Sequence, residues 1–155
     1  MTSSCLICDR VKAIRQGDNP SFVVELSTGY VVLGDFQYWK GYTLFLYKEH
    51  VAELHDLESE VRLRFLKEMS IVAEAVYRAF LPDKLNYELL GNSEPHLHWH
   101  LFPRRKDEPD PKQPVWVVDK AIRYSESVRP SASEVAELKI RLRRELAALG
   151  AETKD

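Results

Sequence analysis

Three histidines alternate with apolar residues in the middle of the chain and constrain how this part can fold. His96, His98 and His100 are separated by Leu97 and Trp99. Successive side chains of a β-strand point to opposite faces, so a strand here puts the three imidazoles on one face and the apolar residues on the other. The row therefore predicts a strand whose second face packs against a core.

The spacing also limits what the imidazoles can do together. In a strand, neighbouring histidines lie about 6.6 Å apart and the outer two about 13 Å apart, which disfavours a catalytic zinc ion held by all three. Divided roles are the better interpretation, since an imidazole can act as a base, an acid or a nucleophile that attacks phosphorus. The alternative is an exposed strand that merely tolerates histidines.

Five short runs rich in β-branched and aromatic residues predict strands around one long helix. The strands are expected at 21–27, 30–36, 42–47, 85–90 and 97–102. Between the third and fourth strands, apolar residues recur at steps of three and four from Val61 to Phe80, which indicates one helical face. Asp56 is the expected N-cap of this helix, and Pro82 ends it.

A second helix is expected near the C-terminus. Ser131 and Glu134 form a capping-box pattern, and the amphipathic helix that follows ends at Gly150. The proline-rich segment 103–114 predicts a surface loop, and residues 116–118 predict a short extended piece. This order of elements predicts an α+β fold with an antiparallel sheet of about five strands, one long central helix and an additional C-terminal helix.

Length, charge and cysteine content exclude several classes of protein. A chain of 155 residues suits one domain with a substantial core. The net charge of -2 argues against a protein that binds the phosphates of duplex nucleic acid. No apolar run is long enough for a membrane span and no leader-like segment opens the chain, so we expect a cytoplasmic protein without a membrane partner. Two cysteines exclude a disulfide-dense secreted scaffold.

The segment just before the histidine row has the composition of a phosphate-binding loop. Gly91 permits close approach of a ligand to the backbone, and Asn92 and Ser93 offer hydrogen-bond donors. By itself the segment would be an ordinary turn between two strands. Its position directly before the histidines favours phosphate binding.

Residues 91–104 resemble the signature of the histidine triad (HIT) family of nucleotide hydrolases and transferases. That signature is His-φ-His-φ-His-φ-φ with φ apolar, and residues 97, 99, 101 and 102 supply each φ. Residues 41–50 are similar to the strand and turn that precede it in the family. With the cysteine pair near the N-terminus, the resemblance extends over residues 5–118.

The resemblance implies a mechanism and a set of site residues. His98 would attack the α-phosphate of a nucleotide, form a covalent nucleotidyl-histidine and release a phosphate, polyphosphate or amine. The expected substrates are dinucleoside polyphosphates or nucleoside phosphoramidates. His100 would contact the phosphate and assist proton transfer. The nucleotide would be bound by Asp35 at the ribose, by Asn86 as a weaker candidate in the same pocket, and by Gly91, Asn92 and Ser93 at the phosphate.

Two positions depart from the family pattern. The family usually has a fourth histidine where this chain has Tyr42, whose hydroxyl can still form a hydrogen bond to the triad. It usually has a glutamine where this chain has the shorter Asn92. Tyr42 keeps an alternative open, namely a nucleotide-binding regulatory protein with little catalytic activity.

Cys5 and Cys8 have the C-x-x-C spacing of half a zinc site. A redox pair and two buried thiols are the alternatives. Some HIT proteins hold a structural zinc ion with such a pair, a histidine after the third strand and the first histidine of the triad. The resemblance therefore implies His50 and His96 as the remaining zinc ligands.

The resemblance also implies the organisation of the chain. Residues 1–118 would form the nucleotide-binding and catalytic domain, and residues 119–155 a C-terminal extension whose helix packs on the same domain or on a partner. HIT proteins are commonly homodimers, so a homodimer is expected. Trp39 and Trp116 are candidates for the interface or for the rim of the base pocket.

Overall fold

The computed structural model describes residues 5–154, and its five strands form one antiparallel sheet. The order across the sheet is β1-β2-β3-β5-β4, with every neighbouring pair antiparallel. The α+β fold with a five-stranded antiparallel sheet is thereby confirmed. The strands are β1 (Phe22–Glu25), β2 (Gly29–Leu33), β3 (Thr43–Tyr47), β4 (Lys84–Glu88) and β5 (His98–Arg104).

The described part of the chain has four α-helices and three short 3-10 helices. The α-helices are α1 (Leu6–Gln16), α2 (Ser59–Phe80), α3 (Lys120–Arg123) and α4 (Ala132–Ala148). The 3-10 helices are Leu54–Asp56, Val115–Val117 and Glu126–Val128. Within residues 5–154, no helix combines the length and the apolarity that crossing a membrane requires.

Four details differ from the sequence-based expectation. Helix α1 was not predicted, because its buried residues are few and its N-cap, Cys5, makes no side-chain capping hydrogen bond. Helix α2 begins at Ser59 with Glu58 as N-cap, because Asp56 already lies in a 3-10 turn. Residues 116–118, expected to be extended, begin within a 3-10 helix. Strand β5 continues to Arg104, because it stays paired with β4.

Helices cover the two faces of the sheet unequally. On one face, α2 and α4 bury a core with strand residues such as Val31 and Phe45. On the other face, α1 packs against Tyr30, Val32 and Leu44, which belong to β2 and β3. The half of this second face formed by β5 and β4 is therefore left without α1, and this is where the histidines lie.

The pairing of β3 with β5 fixes the direction of the histidine side chains. His98 lies opposite Leu46 and His100 opposite Leu44, so the two imidazoles share the face that α1 partly covers. Leu97 belongs to the opposite core, as the alternation predicts. His96 precedes β5 and is almost completely buried.

The C-terminal extension packs on the same chain. Ser131 Oγ accepts a hydrogen bond from the Glu134 amide and the Glu134 carboxylate accepts one from the Ser131 amide, which confirms the capping box. Three leucines of α4 then join the core beneath the sheet: Leu138, Leu142 and Leu146.

Candidate functional site

A cavity of about 580 Å³ lies above β3 and β5, between α1 and the segment that follows β5. Its size is that of a typical small-molecule site. The fold brings together residues from five separate parts of the sequence. Six residues predicted from the sequence line this cavity: Asp35, Gly91, Asn92, Ser93, His98 and His100.

Asn86, the weaker candidate for the same pocket, lies elsewhere. It lines a separate depression along β4, on the outer side of the sheet. Its Oδ1 accepts a hydrogen bond of 2.8 Å from Arg104 Nη1. The Asn86 amide therefore orients a buried arginine and is not among the residues that line the histidine cavity.

His98 is held so that one ring nitrogen remains reactive. Its Nδ1 donates a hydrogen bond of 2.5 Å to the carbonyl oxygen of His96. Burial lowers the pKa of His98, so the ring is neutral at pH 7. With the hydrogen on Nδ1, the lone pair of the neutral ring is on Nε2, which makes Nε2 the nucleophilic atom.

His100 is held by Tyr42 in the opposite tautomer. The Tyr42 hydroxyl lies 2.7 Å from His100 Nδ1. Burial raises the pKa of Tyr42, and burial together with the neighbouring His98 lowers the pKa of His100 to about 3. The hydroxyl therefore keeps its hydrogen. Because His100 Nδ1 is its one hydrogen-bond partner among the described residues, we assign the hydroxyl as the donor, which leaves the hydrogen of the imidazole on Nε2. The expectation that Tyr42 would still bond to the triad is confirmed.

Gly34 makes room for the Tyr42 ring. A Cβ atom at Gly34 would lie 2.1 Å from Cδ1 of Tyr42. On its other side the ring stacks on Phe102, with centroids 4.2 Å apart, and it lies parallel to His100 within 10°. These contacts hold the Tyr42 ring in one orientation, with its hydroxyl within hydrogen-bond distance of His100.

We expect Tyr42→Phe to remove the preference of His100 for the Nε2–H tautomer, because the stacked ring remains while the donor to Nδ1 is lost. In the wild type, nitrogen chemical shifts should report a neutral Nε2–H imidazole from pH 7 down to pH 4. The variant should show a substantial Nδ1–H population. Tyr77→Phe, at an exposed tyrosine on α2, is the matched control. An unchanged His100 spectrum in Tyr42→Phe would contradict the assignment.

The loop between β4 and β5 has a conformation that lets a ligand approach its backbone. Gly91 has φ of 88°, a conformation that side chains rarely adopt. Within the described residues, the side chains of Asn92 and Ser93 make no hydrogen bonds and are exposed at the cavity. Glu94 fastens the loop to α1 by accepting a hydrogen bond of 2.9 Å from the Leu6 amide.

Asp35 carries an arginine partner that sequence reasoning missed. Arg10 Nη1 donates to Asp35 Oδ1 over 3.1 Å, and Nη2 donates to Oδ2. This hydrogen bond raises the pKa of Arg10, so the arginine keeps its charge beside Asp35. Each carboxylate oxygen has a second lone pair, and Asp35 therefore retains the capacity to accept from a ligand.

The segment after β5 supplies a second set of residues, of which sequence reasoning had assigned only Trp116, as a candidate for the rim of the base pocket or for the interface. Trp116 lies at the cavity rim, and its ring is 5.6 Å from that of His100. Lys120, Arg123 and Tyr124 also line the cavity. No motif marks these residues, because the segment is an irregular run of short helical turns.

Beside the cavity, two cysteines and two histidines converge as the zinc hypothesis requires. One ligand atom from each of Cys5, Cys8, His50 and His96 lies within 4.8 Å of the others. Cys8 Sγ is 3.4 Å from His50 Nδ1 and 3.5 Å from His96 Nδ1. Two sulfur and two nitrogen ligands are the set that tetrahedral zinc prefers.

The surroundings of the cluster also suit a metal. His96 Nε2 donates 2.9 Å to the Tyr47 carbonyl, which leaves Nδ1 free of hydrogen and directed at the cysteines. Burial and the nearby Cys5 raise the pKa of Cys8 to about 11. The Cys8 thiol therefore stays protonated at neutral pH unless a cation binds it, which is unfavourable for a redox pair.

Comparison with known proteins decides the family. The family model described as the HIT domain matches residues 16–107, which is more than half of the chain and includes the three histidines. The chain belongs to the histidine triad family. The segment after residue 107, with Trp116, Arg123 and α4, lies outside the matched range.

Related HIT proteins agree with this membership. Adenosine 5'-monophosphoramidase HNT1 of Saccharomyces cerevisiae is 26% identical over 114 residues, which are 70% of this chain and 67% of that one. The structure of histidine triad protein blr8122 of Bradyrhizobium japonicum has a TM-score of 0.71 at 25% identity and covers 85% of this chain and 94% of its own. A zinc-bound histidine triad family protein of Mycobacterium smegmatis has a TM-score of 0.65 at 23% identity, with coverage of 95% and 96%.

Proposed function

We propose that this HIT protein is a nucleotidyl hydrolase or transferase that acts on the α-phosphate of a nucleotide through a covalent intermediate on His98. The observation that carries the proposal is the pair of neutral histidines with complementary tautomers. His98 presents a lone pair at Nε2, and His100 presents an N–H at Nε2. A nucleophile beside a hydrogen-bond donor is what displacement at phosphorus requires.

The reaction proceeds in two displacements. Nε2 of His98 attacks the α-phosphorus, and the bond from phosphorus to the leaving group breaks with its electron pair going to that group. His100 Nε2–H donates a hydrogen bond to a phosphate oxygen as its negative charge develops. Water then attacks the phosphorus, breaks the bond to His98, and releases a nucleoside monophosphate. The proton lost by water leaves with the product or enters solvent.

The remaining cavity residues would bind the nucleotide. Gly91, Asn92 and Ser93 would donate to the phosphate, and Asp35, oriented by Arg10, would accept from the ribose hydroxyls. The name of the yeast relative, an adenosine 5'-monophosphoramidase, supports an adenosine phosphoramidate as one substrate.

We also propose that Cys5, Cys8, His50 and His96 hold a structural zinc ion. The four ligands complete a closed tetrahedral set with no position left for substrate, so the ion would serve structure and not chemistry. Its support of the site would be indirect. The carbonyl oxygen of His96 accepts the Nδ1 hydrogen of His98, so fixing His96 also fixes the tautomer of the nucleophile.

We also propose that the protein is a homodimer, because one edge of the sheet is unpaired and carries exposed apolar side chains. Strand β4 ends the sheet, and its outer side has no partner strand among the described residues. Tyr87 on β4 and Leu90 just beyond it are about half exposed. An edge strand with exposed apolar side chains is a surface on which a second copy can pair.

The test is turnover of a small panel: adenosine 5'-phosphoramidate, diadenosine triphosphate and their guanosine counterparts. We expect release of the nucleoside monophosphate from at least one of them, measured by chromatography. Calorimetry with AMP and GMP measures binding in parallel. Tight binding without turnover of any substrate would instead support the regulatory, nucleotide-binding function that Tyr42 had left open.

A further inference from the structure

Arg123 is a buried cation without an acidic partner. Its side chain lines the cavity, and the residue is only 7% exposed. Among residues 5–154, no carboxylate lies within salt-bridge distance of its guanidinium, whereas Arg104, the other buried arginine of that range, donates 2.8 Å to the Glu108 carboxylate. A charged group that is removed from water needs hydrogen-bond partners, because burying it without them is costly. A ligand in the cavity would supply acceptors that the described chain does not.

Most of the hydrogen-bond donors of the Arg123 guanidinium are free. Nε donates 3.1 Å to the Val118 carbonyl, and Nη1 donates 3.2 Å to the Tyr124 hydroxyl. A guanidinium has five N–H groups, so three remain, one on Nη1 and two on Nη2, and none of them meets an acceptor within the described part of the chain. Because the group is planar, it donates best to a ligand edge that carries two acceptors side by side.

Arg123 lies toward the Asp35 end of the cavity. Tyr124, which accepts the hydrogen bond from its Nη1, packs edge-on against Phe36 with 5.4 Å between the ring centres. Phe36 directly follows Asp35 in the chain, and all four of these residues line the same cavity. The HIT family model matches residues 16–107, so Arg123 and Tyr124 belong to a wall of the cavity that lies outside the matched range.

This wall is fastened to the turn that follows β2. The Gln37 amide donates 2.8 Å to the Val128 carbonyl, and the Arg129 guanidinium lies 4.2 Å from the ring centre of Phe36. The segment that carries Arg123 is therefore fixed beside Asp35 by contacts on its C-terminal side. Because the arginine is buried and already hydrogen-bonded, binding a ligand costs its side chain little further freedom.

The surroundings of the Arg123 guanidinium suit a planar base better than a phosphate. Its centre lies 4.8 Å from the ring centre of Trp116 and 4.9 Å from that of Tyr124. Trp116 is 37% exposed and Tyr124 is 50% exposed, so parts of both rings remain available to the face of a base. A nucleotide with its α-phosphate at His98 and its ribose at Asp35 directs its base away from the histidines, because the ribose lies between the two. The base then meets the wall that carries Arg123.

We propose that Arg123 binds the edge of a purine base that carries atoms N7 and O6, so that the site prefers guanine and hypoxanthine to adenine. This rests on the proposed function and names the preferred base of its substrates. In guanine and hypoxanthine both atoms accept hydrogen bonds, which matches two N–H groups of one guanidinium. Adenine keeps the acceptor at N7 but carries an amino group at position 6, which is a donor and would face the donors of Arg123.

The first test uses the wild-type protein and varies the ligand. In calorimetry we expect GMP to bind at least about tenfold more tightly than AMP, which is the discrimination of a bidentate arginine contact. IMP should bind within about threefold of GMP, because it shares N7 and O6 and lacks only the 2-amino group. 7-Deaza-GMP, which has a carbon in place of N7, should bind about fivefold more weakly than GMP, because one hydrogen bond to the guanidinium is lost.

The second test varies the protein. Arg123→Met should weaken the binding of GMP about tenfold and that of AMP less than about threefold, which removes most of the preference. Arg144→Met is the matched control, because Arg144 is an exposed arginine of α4, the helix on the opposite face of the sheet. It should leave both affinities unchanged. Thermal unfolding identifies misfolding of Arg123→Met, and in that case the ligand series on the wild type decides.

The outcomes separate the base site from the proposed catalysis. Equal binding of AMP and GMP by the wild type would overturn the base site. Equal losses on both nucleotides in folded Arg123→Met would also overturn it, because the guanidinium would then act on a part that the two nucleotides share, such as the phosphate. A wild type that shows the base preference but turns over no substrate would uphold the base site and reject the catalysis. Binding of neither nucleotide would reject both.

Discussion

Replacing His98 with alanine is expected to lower nucleotide turnover by about four orders of magnitude, the effect of losing a covalent nucleophile. No other group in the cavity can take its place. His100 holds its hydrogen on Nε2 and points its lone pair at Tyr42, and His96 is turned toward the cysteines. Nucleotide affinity should change little, because phosphate and ribose contacts come from other residues.

The measurement combines steady-state turnover with mass spectrometry of protein quenched during the reaction. The wild type should carry a nucleotidyl adduct on the peptide that contains His98, and His98→Ala should carry none. His55→Ala is the matched control, since that imidazole is exposed outside the cavity. If His98→Ala kept more than about a tenth of wild-type turnover, the covalent mechanism would be wrong.

The histidine row could be placed from the sequence because its period of two leaves only one strand geometry. His98 and His100 lie on one face and Leu97 on the other, as the alternation requires. The Gly91 loop could also be placed, because glycine followed by small polar residues is typical of a turn between two strands. In these segments the local sequence determines the local structure.

Residues that reach the cavity from distant segments could not be predicted in this way. Arg10 meets Asp35 only because α1 packs across β2 and β3, and α1 itself begins without a side-chain N-cap. Arg123 reaches the cavity through a run of short turns with no hydrophobic period. Asn86 was assigned to the pocket by resemblance alone, and its side chain is bound to Arg104.

Tyr42 shows how a departure from a family pattern can conserve a physical role. A histidine at this position can carry its hydrogen on either ring nitrogen, whereas the raised pKa of Tyr42 keeps a hydrogen on its hydroxyl that can be donated to His100. The replacement therefore restricts His100 to one tautomer. The sequence indicated the substitution, but the structure was needed to show that the Tyr42 hydroxyl lies 2.7 Å from His100 Nδ1.

Loss of zinc is expected to have the second large effect, on stability. A ligand that binds only the folded state stabilises it by about 4 kcal/mol when its free concentration is 1,000 times its dissociation constant. For a domain of this size that corresponds to roughly 10 °C in the midpoint of thermal unfolding. We expect protein purified without added zinc to contain close to one equivalent, and a chelator to lower its midpoint by this amount.

Variants separate the proposed ligand set from other metal sites. Cys8→Ser should reduce bound zinc below about a tenth of an equivalent, and a chelator should then have no further effect on its unfolding. His98→Ala should keep its zinc, because a catalytic ion on the triad would be lost with His98 and a structural ion held by His96 would not. Since His96 also fixes the tautomer of His98, chelation should slow turnover in folded protein. Wild-type protein that contains no zinc and unfolds at the same temperature with and without chelator would show that these four residues do not bind a structural zinc ion.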